Sequence, residues 1–164
     1  ANGGQASVIY CGTNNEITNE TIVGAIGGPW MGGMGARPNK DGIDATDHDA
    51  SNVYHVPLEV SEAELPIRFN RMELWMDSGG AGKWRGGLGF FSEVEWLKGK
   101  AGASLRRDRH KFKPWGLAGG HSGPECVTAV KRKNSKSKAI AGKCQIELNA
   151  GDILQLWTTG SGGH

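Results

Sequence analysis

Glycine in this chain comes in blocks. The densest is Gly27-Gly28-Pro29-Trp30-Met31-Gly32-Gly33-Met34-Gly35-Ala36-Arg37-Pro38. Others lie at 79–89, 116–123 and 160–163, and the 164 residues hold 27 glycines in all. These blocks exclude a regular helix, because each Gly costs about 1 kcal/mol against Ala and each Pro about 3. They also sit badly with a bare flexible loop, since Trp30, Met31 and Met34 require burial. Glycine permits unusual φ angles and close backbone approach. Polyproline-II segments packed side by side would use that freedom. The blocks keep no fixed period, so no internal repeat is assigned.

Short β-like segments fill the intervals. Ile67-Arg68-Phe69-Asn70-Arg71-Met72-Glu73-Leu74-Trp75-Met76 alternates apolar and polar through Glu73. It predicts one long strand burying Ile67, Phe69 and either Met72 or Leu74, with a bulge near Arg71-Met72. Leu88–Leu97 forms its hairpin partner across an elaborated glycine-rich loop. Further strands are expected at Ser7–Tyr10, Ile22–Ile26, Val53–Val60, Ala101–Leu105, Cys126–Val130, Cys144–Leu148 and Ile153–Thr158. Pro57 demotes Val53–Val60 to an edge or irregular strand. Glu62–Pro66 has room for one helical turn, ending before Pro66. The fold class is therefore mainly β, a sandwich or barrel-like pair of sheets with glycine-rich, polyproline-II-like excursions. Residues 1–164 read as a single domain or a fragment of a longer chain. Ala1 in place of a start Met points to processing, trimming or cutting from something longer.

Nineteen basic and 17 acidic residues leave a net charge of +2, which gives no case for nucleic-acid binding. The basic run Lys131–Lys138 lies between β-like segments and reads as a solvated loop tip. No run approaches 18 apolar residues, so no membrane span is expected. No charged-then-apolar N-terminus suggests a signal peptide. The three cysteines, Cys11, Cys126 and Cys144, are far apart and odd in number. That suits free thiols in a reducing, cytoplasmic compartment.

Nucleotide motifs are missing. Gly82-Lys83 runs into Trp84 and Gly142-Lys143 into Cys144, so neither completes a P-loop. The acidic stretch Asp41, Asp44, Asp47, His48, Asp49 lacks EF-hand spacing. Its carboxylates are expected to take local N–H groups, with a divalent cation as the alternative and no metal site assigned. Arg106-Arg107-Asp108-Arg109-His110 packs charge beside an imidazole. It could orient His110 for acid–base work, clamp a carboxylate or phosphate, or form an interface salt-bridge network. Ser78, Ser104 and Ser122 all lack the nucleophile elbow.

Four blocks stand in order: Gly32–Gly42; Pro57-Leu58-Glu59-Val60 with Glu62 and Glu64-Leu65-Pro66; Asp77–Gly89, reading D-S-G-G-A-G-K-W-R-G-G-L-G; and Arg107-Asp108-Arg109-His110 with Pro114–Gly120. Gly151-Asp152-Ile153-Leu154 and Thr158–Gly163 complete the set. In this order the chain resembles the C-terminal part of the hydantoinase B/oxoprolinase B family. Asn52 matches a Thr-Asn-Thr stretch whose other positions differ here, and Arg107 stands where the family often has Gly.

The resemblance implies a piece of an ATP-dependent cyclic-amide hydrolase that opens a lactam or hydantoin. Ketone carboxylation is the alternative activity, and a noncatalytic β scaffold for docking other chains is the alternative role. It implies ATP and Mg on a partner hydantoinase A-type subunit with an actin-like fold, and packed polyproline-II segments in the B-type chain. The remainder of the B-type chain is the other implied partner. The residues taken forward are Asp108 and His110 as catalytic, with Lys40, Asp41, Arg107 and Arg109 as substrate-binding.

Overall fold

A computed structural model describes residues 8–14, 20–26, 30–47 and 53–164. Two antiparallel sheets face each other. The first runs β2 (Thr21–Ala25), β1 (Val8–Asn14), β5 (Lys100–Arg106), β8 (Lys143–Asn149). The second runs β3 (Ile67–Leu74), β4 (Phe90–Trp96), β9 (Ile153–Trp157), β6 (Val127–Lys131), β7 (Ser137–Ala139). The sheets do not close into a barrel, so of the two expected forms the sandwich is the one adopted.

Alternation places the core. Ile9, Cys11, Ala101, Ala103, Leu105 and Leu148 point inward from the first sheet. Ile67, Phe90, Val94, Trp96, Val130, Leu154 and Leu156 meet them from the second, and Trp30 closes one end fully buried. β3 pairs with β4 as a hairpin, and its register slips between Phe69 and Arg71, beside the expected bulge. Ile67 is buried and Phe69 and Met72 are partly so, whereas Leu74 is exposed.

The stretch Val53–Val60 is not a strand. A helix, α1, occupies Leu58–Glu64. Pro57 stands at its N-cap with φ −51°, where a missing N–H costs nothing. Leu58, Ser61 and Leu65 then fall on one face, with Ser61 and Leu65 buried. The chain leaves the helix before Pro66, as its ring requires. The Lys-rich tip is also more ordered than a loop. β6 continues to Lys131 and pairs with β7, so only 132–136, with Asn134 at φ 60°, makes the exposed turn.

The glycine blocks form a third body against the sandwich. Segments 30–46, 78–89, 114–123 and 158–164 run side by side without a strand ladder. Hydrogen bonds link them, including Gly33 N to Thr159 O (3.2 Å), Gly87 N to Met34 O (2.9 Å) and Gly80 N to Ser161 O (2.7 Å).

The central segment shows a repeat of three. A Cβ on Gly160 would lie 2.0 Å from Ser78 O, and one on Gly163 would lie 2.4 Å from Ala81 O. Ser161 N instead donates to Gly87 O at 2.9 Å, and a Cβ on Gly162 would lie 1.9 Å from Trp115 O. Three residues per turn is the period of polyproline II, whose hydrogen bonds must run to neighbours. Among the described glycines, positive φ occurs only at Gly99, Gly119 and Gly151. The bundle thus uses glycine for its missing Cβ rather than for left-handed backbone.

His48, Asp49, Gly27-Gly28-Pro29 and the Asp49–Asn52 comparison lie outside the described residues.

Candidate functional site

Charged chemistry gathers where β5 ends. The β5–β8 register sets Arg106 opposite Lys143, so the start of β8 lies beside the loop that leaves β5. Arg107 N donates to Gly142 O (2.8 Å), and Cys126 N donates to Arg109 O (2.9 Å). These bonds pin both ends of the Arg107–Arg109 turn, in which Arg109 has φ 59°.

Arg107 is 1% exposed. Its Nη1 donates to Val127 O (3.0 Å) and Thr128 Oγ1 (2.5 Å), and its Nη2 to Trp157 O (3.0 Å) and Cys126 Sγ (3.4 Å). Among the described residues no carboxylate ion-pairs with it. Burial pulls the guanidinium below its ordinary pKa, opposed by Cys126, yet an arginine keeps its charge.

The loop, Arg107 included, borders an open cleft of about 400 Å³, together with Lys111, Phe112, Ala141, Gly142 and Lys143. Asp108 pairs with Lys143 at 2.9 Å. Arg109 lies over the Trp115 ring at 5.7 Å. His110 packs against Gly142 so closely that a Cβ there would meet its Cδ2 at 2.3 Å. Its Nε2 lies 3.2 Å from Thr128 Oγ1. Burial first, then the Arg107 charge, push the imidazole below its usual pKa, with Asp108 opposing. At neutral pH His110 is therefore an uncharged imidazole beside a carboxylate–ammonium pair, with the exposed Phe112 supplying apolar wall. Such a set can hold a small polar ring and exchange a proton with it.

The structure brings together Arg107, Asp108, Arg109 and His110, and sets Lys40 and Asp41 elsewhere. Lys40 is exposed in the turn closed by its backbone bonds with Arg37. Asp41 accepts Arg85 N at 2.7 Å, and Asp44 accepts Arg85 Nη1 (2.7 Å) and Leu88 N (2.8 Å). Asp47 accepts Val53 N at 2.7 Å. Asp47 thus takes a nearby N–H, the local role expected of these carboxylates, whereas Asp41 and Asp44 reach more than 40 positions along the chain to Arg85 and Leu88 and brace the bundle.

Sequence reasoning missed Thr128, Gly142 and Lys143. They lie 18 to 33 positions beyond His110 and reach the loop only through tertiary structure, Gly142 and Lys143 by the β5–β8 register and Thr128 from the facing sheet, which no spacing announces. All three cysteines are free thiols, and burial lifts Cys11 to about 11.

A second hollow, of about 510 Å³, lies on the outer face of the first sheet over Gly12 and Gly102. Its one carboxylate, Glu147, pairs with Lys100 at 3.5 Å, and no titratable cluster lines it.

Among the described residues no three His, Cys, Asp or Glu side chains converge to hold a metal, and no helix is long and apolar enough to cross a membrane.

Comparison with known proteins places this architecture. The model of the family described as hydantoinase B/oxoprolinase matches residues 1–164. A protein of Pseudomonas sp. (strain NS671), named as the B-type component of a D-/L-hydantoinase, is 41% identical over 136 residues, covering 81% of this chain and 23% of that one. Two solved structures share the fold. One is a nucleotide-free acetone carboxylase, with TM-score 0.81 and 18% identity over 96% of this chain and 25% of that one. The other is an ATP-dependent caprolactamase from Pseudomonas jessenii, with TM-score 0.79 and 21% identity over 98% of this chain and 30% of that one. The chain spans 23% of the length of the Pseudomonas sp. protein and 10% of that of the 5-oxoprolinase of Dictyostelium discoideum, to which it is 30% identical.

Proposed function

The chain belongs to the hydantoinase B/oxoprolinase family, and from that premise we propose that it is the C-terminal segment of the B-type component of an ATP-dependent cyclic-amide hydrolase. The observation that carries this reading is the cleft at the end of β5. There a neutral His110 and the Asp108–Lys143 pair gather on a rigid frame. The 41% identity to a protein named as a hydantoinase component favours amide ring opening over ketone carboxylation. The likeness to acetone carboxylase concerns fold alone.

In this reading His110 exchanges a proton with the ring amide. Asp108 and Lys143 orient its polar edge. Arg109, stacked on Trp115, lines the approach. Arg107 lines the cleft but is almost wholly enclosed, so in this reading it frames the site rather than grips the substrate. Lys40 and Asp41 act through the bundle edge, where Asp41 holds Arg85 N. ATP, on which the caprolactamase relative depends, and Mg²⁺ are in this reading held by an A-type partner subunit. The remainder of the B-type chain supplies the rest of the site. Three free cysteines support a cytoplasmic setting.

The test uses the full-length B-type chain assembled with its A-type partner. ATP turnover coupled to opening of a hydantoin, 5-oxoproline or caprolactam is expected, and His110→Ala should abolish the coupling. ATP turnover coupled instead to bicarbonate and a ketone would transfer the segment to the carboxylase reading. Full ring opening by both His110→Ala and Asp108→Asn would leave the scaffold role.

A further inference from the structure

We infer that Thr128 is a positioning residue that fixes the tautomer of His110, and that the buried Arg107 orients it for that task. This rests on the reading of the cleft as a substrate site.

Thr128 and Arg107 are each 1% exposed. Arg107 Nη1 donates to Thr128 Oγ1 at 2.5 Å, so one lone pair of that hydroxyl is taken. The hydroxyl proton must still be placed, because a buried O–H left unpaired costs free energy. The one remaining side-chain contact of Thr128 among the described residues is His110 Nε2, at 3.2 Å. Oγ1–H therefore donates to Nε2, which is the unprotonated nitrogen, and the ring proton sits on Nδ1. Nδ1 has no partner among the described residues and is not enclosed, which leaves its N–H available to a ligand. Protonating Nε2 would break the bond from Thr128 and set a second positive charge near Arg107.

Charged and titratable groups surround His110, including Arg109 and Lys111 of the same cleft. Arg107 and Asp108 belong to its own loop, Lys143 to the start of β8, and Cys126 precedes β6 behind Arg107. Asp108 alone favours the imidazolium, and it is already paired with Lys143. Arg107 is the frame of this arrangement. Its four donations from Nη1 and Nη2 tie Thr128 to the backbone of β6 and β9, while its Nε is buried without a partner among the described residues.

The experiment is done on the assembled enzyme with two readouts. One is the pH dependence of carbethoxylation of His110 by diethyl pyrocarbonate, followed by peptide mass mapping. The other is the pH profile of kcat/KM. Thr128→Val should lower kcat/KM roughly three- to tenfold, the worth of one hydrogen bond. It should also move the His110 midpoint and the acid limb to higher pH. Thr128→Ser keeps the hydroxyl and should hold the midpoint at its wild-type position. Thr128→Ala removes the same hydroxyl and serves if the valine variant does not assemble.

An unmoved midpoint in Thr128→Val or Thr128→Ala overturns the inference, as does an equal shift in Thr128→Ser. If His110→Ala keeps full turnover, the cleft reading fails. The carbethoxylation midpoint still decides the Thr128 assignment in that case.

Discussion

Gly162 meets Trp115 backbone to backbone: a Cβ on the glycine would stand 1.9 Å from the Trp115 carbonyl oxygen. Gly162 also accepts Ala36 N at 3.0 Å, so it is held from two sides. Backbone cannot step aside as a flexible side chain can. Gly162→Ala should therefore cost on the order of 3 kcal/mol or more, at the upper end of overpacking. Gly102, on the outer face of β5, has nothing within 4 Å of its Cβ position. Gly102→Ala should be neutral or stabilise by up to about 1 kcal/mol. Thermal unfolding followed by tryptophan fluorescence checks the pair. Equal losses at the two sites would sink the packing account of the glycine blocks.

Ser78, in the Asp-Ser-Gly-Gly block, is fully buried. Its Oγ donates to Trp75 O (2.6 Å) and accepts Gly89 N (2.9 Å), clipping together the two ends of the β3–β4 loop. Ser78→Ala leaves the buried Gly89 N–H unpaired, which should cost about 1–3 kcal/mol. Ring opening per folded enzyme should stay at the wild-type level, since this hydroxyl is spent on backbone. A large loss of kcat with unchanged stability would make Ser78 a chemical participant instead.

Much of this is legible in the sequence because it is local. The alternation from Ile67 to Glu73 marks β3, and the bulge at Phe69–Arg71 falls near its break in pattern. The bundle is legible as a conflict: glycine blocks that cannot be helix, carrying a tryptophan that cannot be loose. Trp30 is indeed buried in the core. Local reading fails at Val53–Val60, where β-branched residues suggest a strand. Pro57 and the helical face of Leu58, Ser61 and Leu65 decide that region instead. The site is half legible. Arg107 to His110 is contiguous, but the partners of Asp108 and His110 arrive through pairing across 35 and 18 residues. Nothing local to Arg107 marks it as the arginine that turns inward, because its acceptors lie on β6 and β9.

Asp152 predicts an acid-labile turn between β8 and β9. Its side chain is 4% exposed and accepts Asn149 N (2.8 Å), Lys133 N (3.3 Å) and Arg132 Nη1 (2.5 Å). Burial pushes the carboxyl pKa up, but these hydrogen bonds and the Arg132 charge outweigh it, so the net shift is downward. A folded pKa below the unfolded one gives stability that is present above about pH 4 and lost as pH falls through the folded value. Asp44, held by Arg85 and Leu88 N against its own burial, is shifted the same way. Asp152→Asn should cost about 2 kcal/mol or more at pH 7. It should also flatten the fall in melting temperature as the medium turns acidic. A variant with the wild-type acid slope would show that this carboxylate does not carry the dependence.

Asp108 separates stability from chemistry. Its pair with Lys143 is short at 2.9 Å, but the two side chains are 48% and 70% exposed. An exposed ion pair of this kind is worth under about 1 kcal/mol. Asp108→Asn should therefore leave the melting temperature nearly unchanged. The cleft would still lose the one carboxylate that offsets the charge of Arg107 at His110. Without it the imidazole becomes harder to protonate, so the acid limb of kcat/KM in the assembled enzyme should move to lower pH. Thr128→Val is expected to move the same limb upward, so the two variants bracket His110 from opposite sides. A double variant whose limb lies between the two would tie both effects to one imidazole. Shifts in the same direction would mean that a group other than His110 sets the profile.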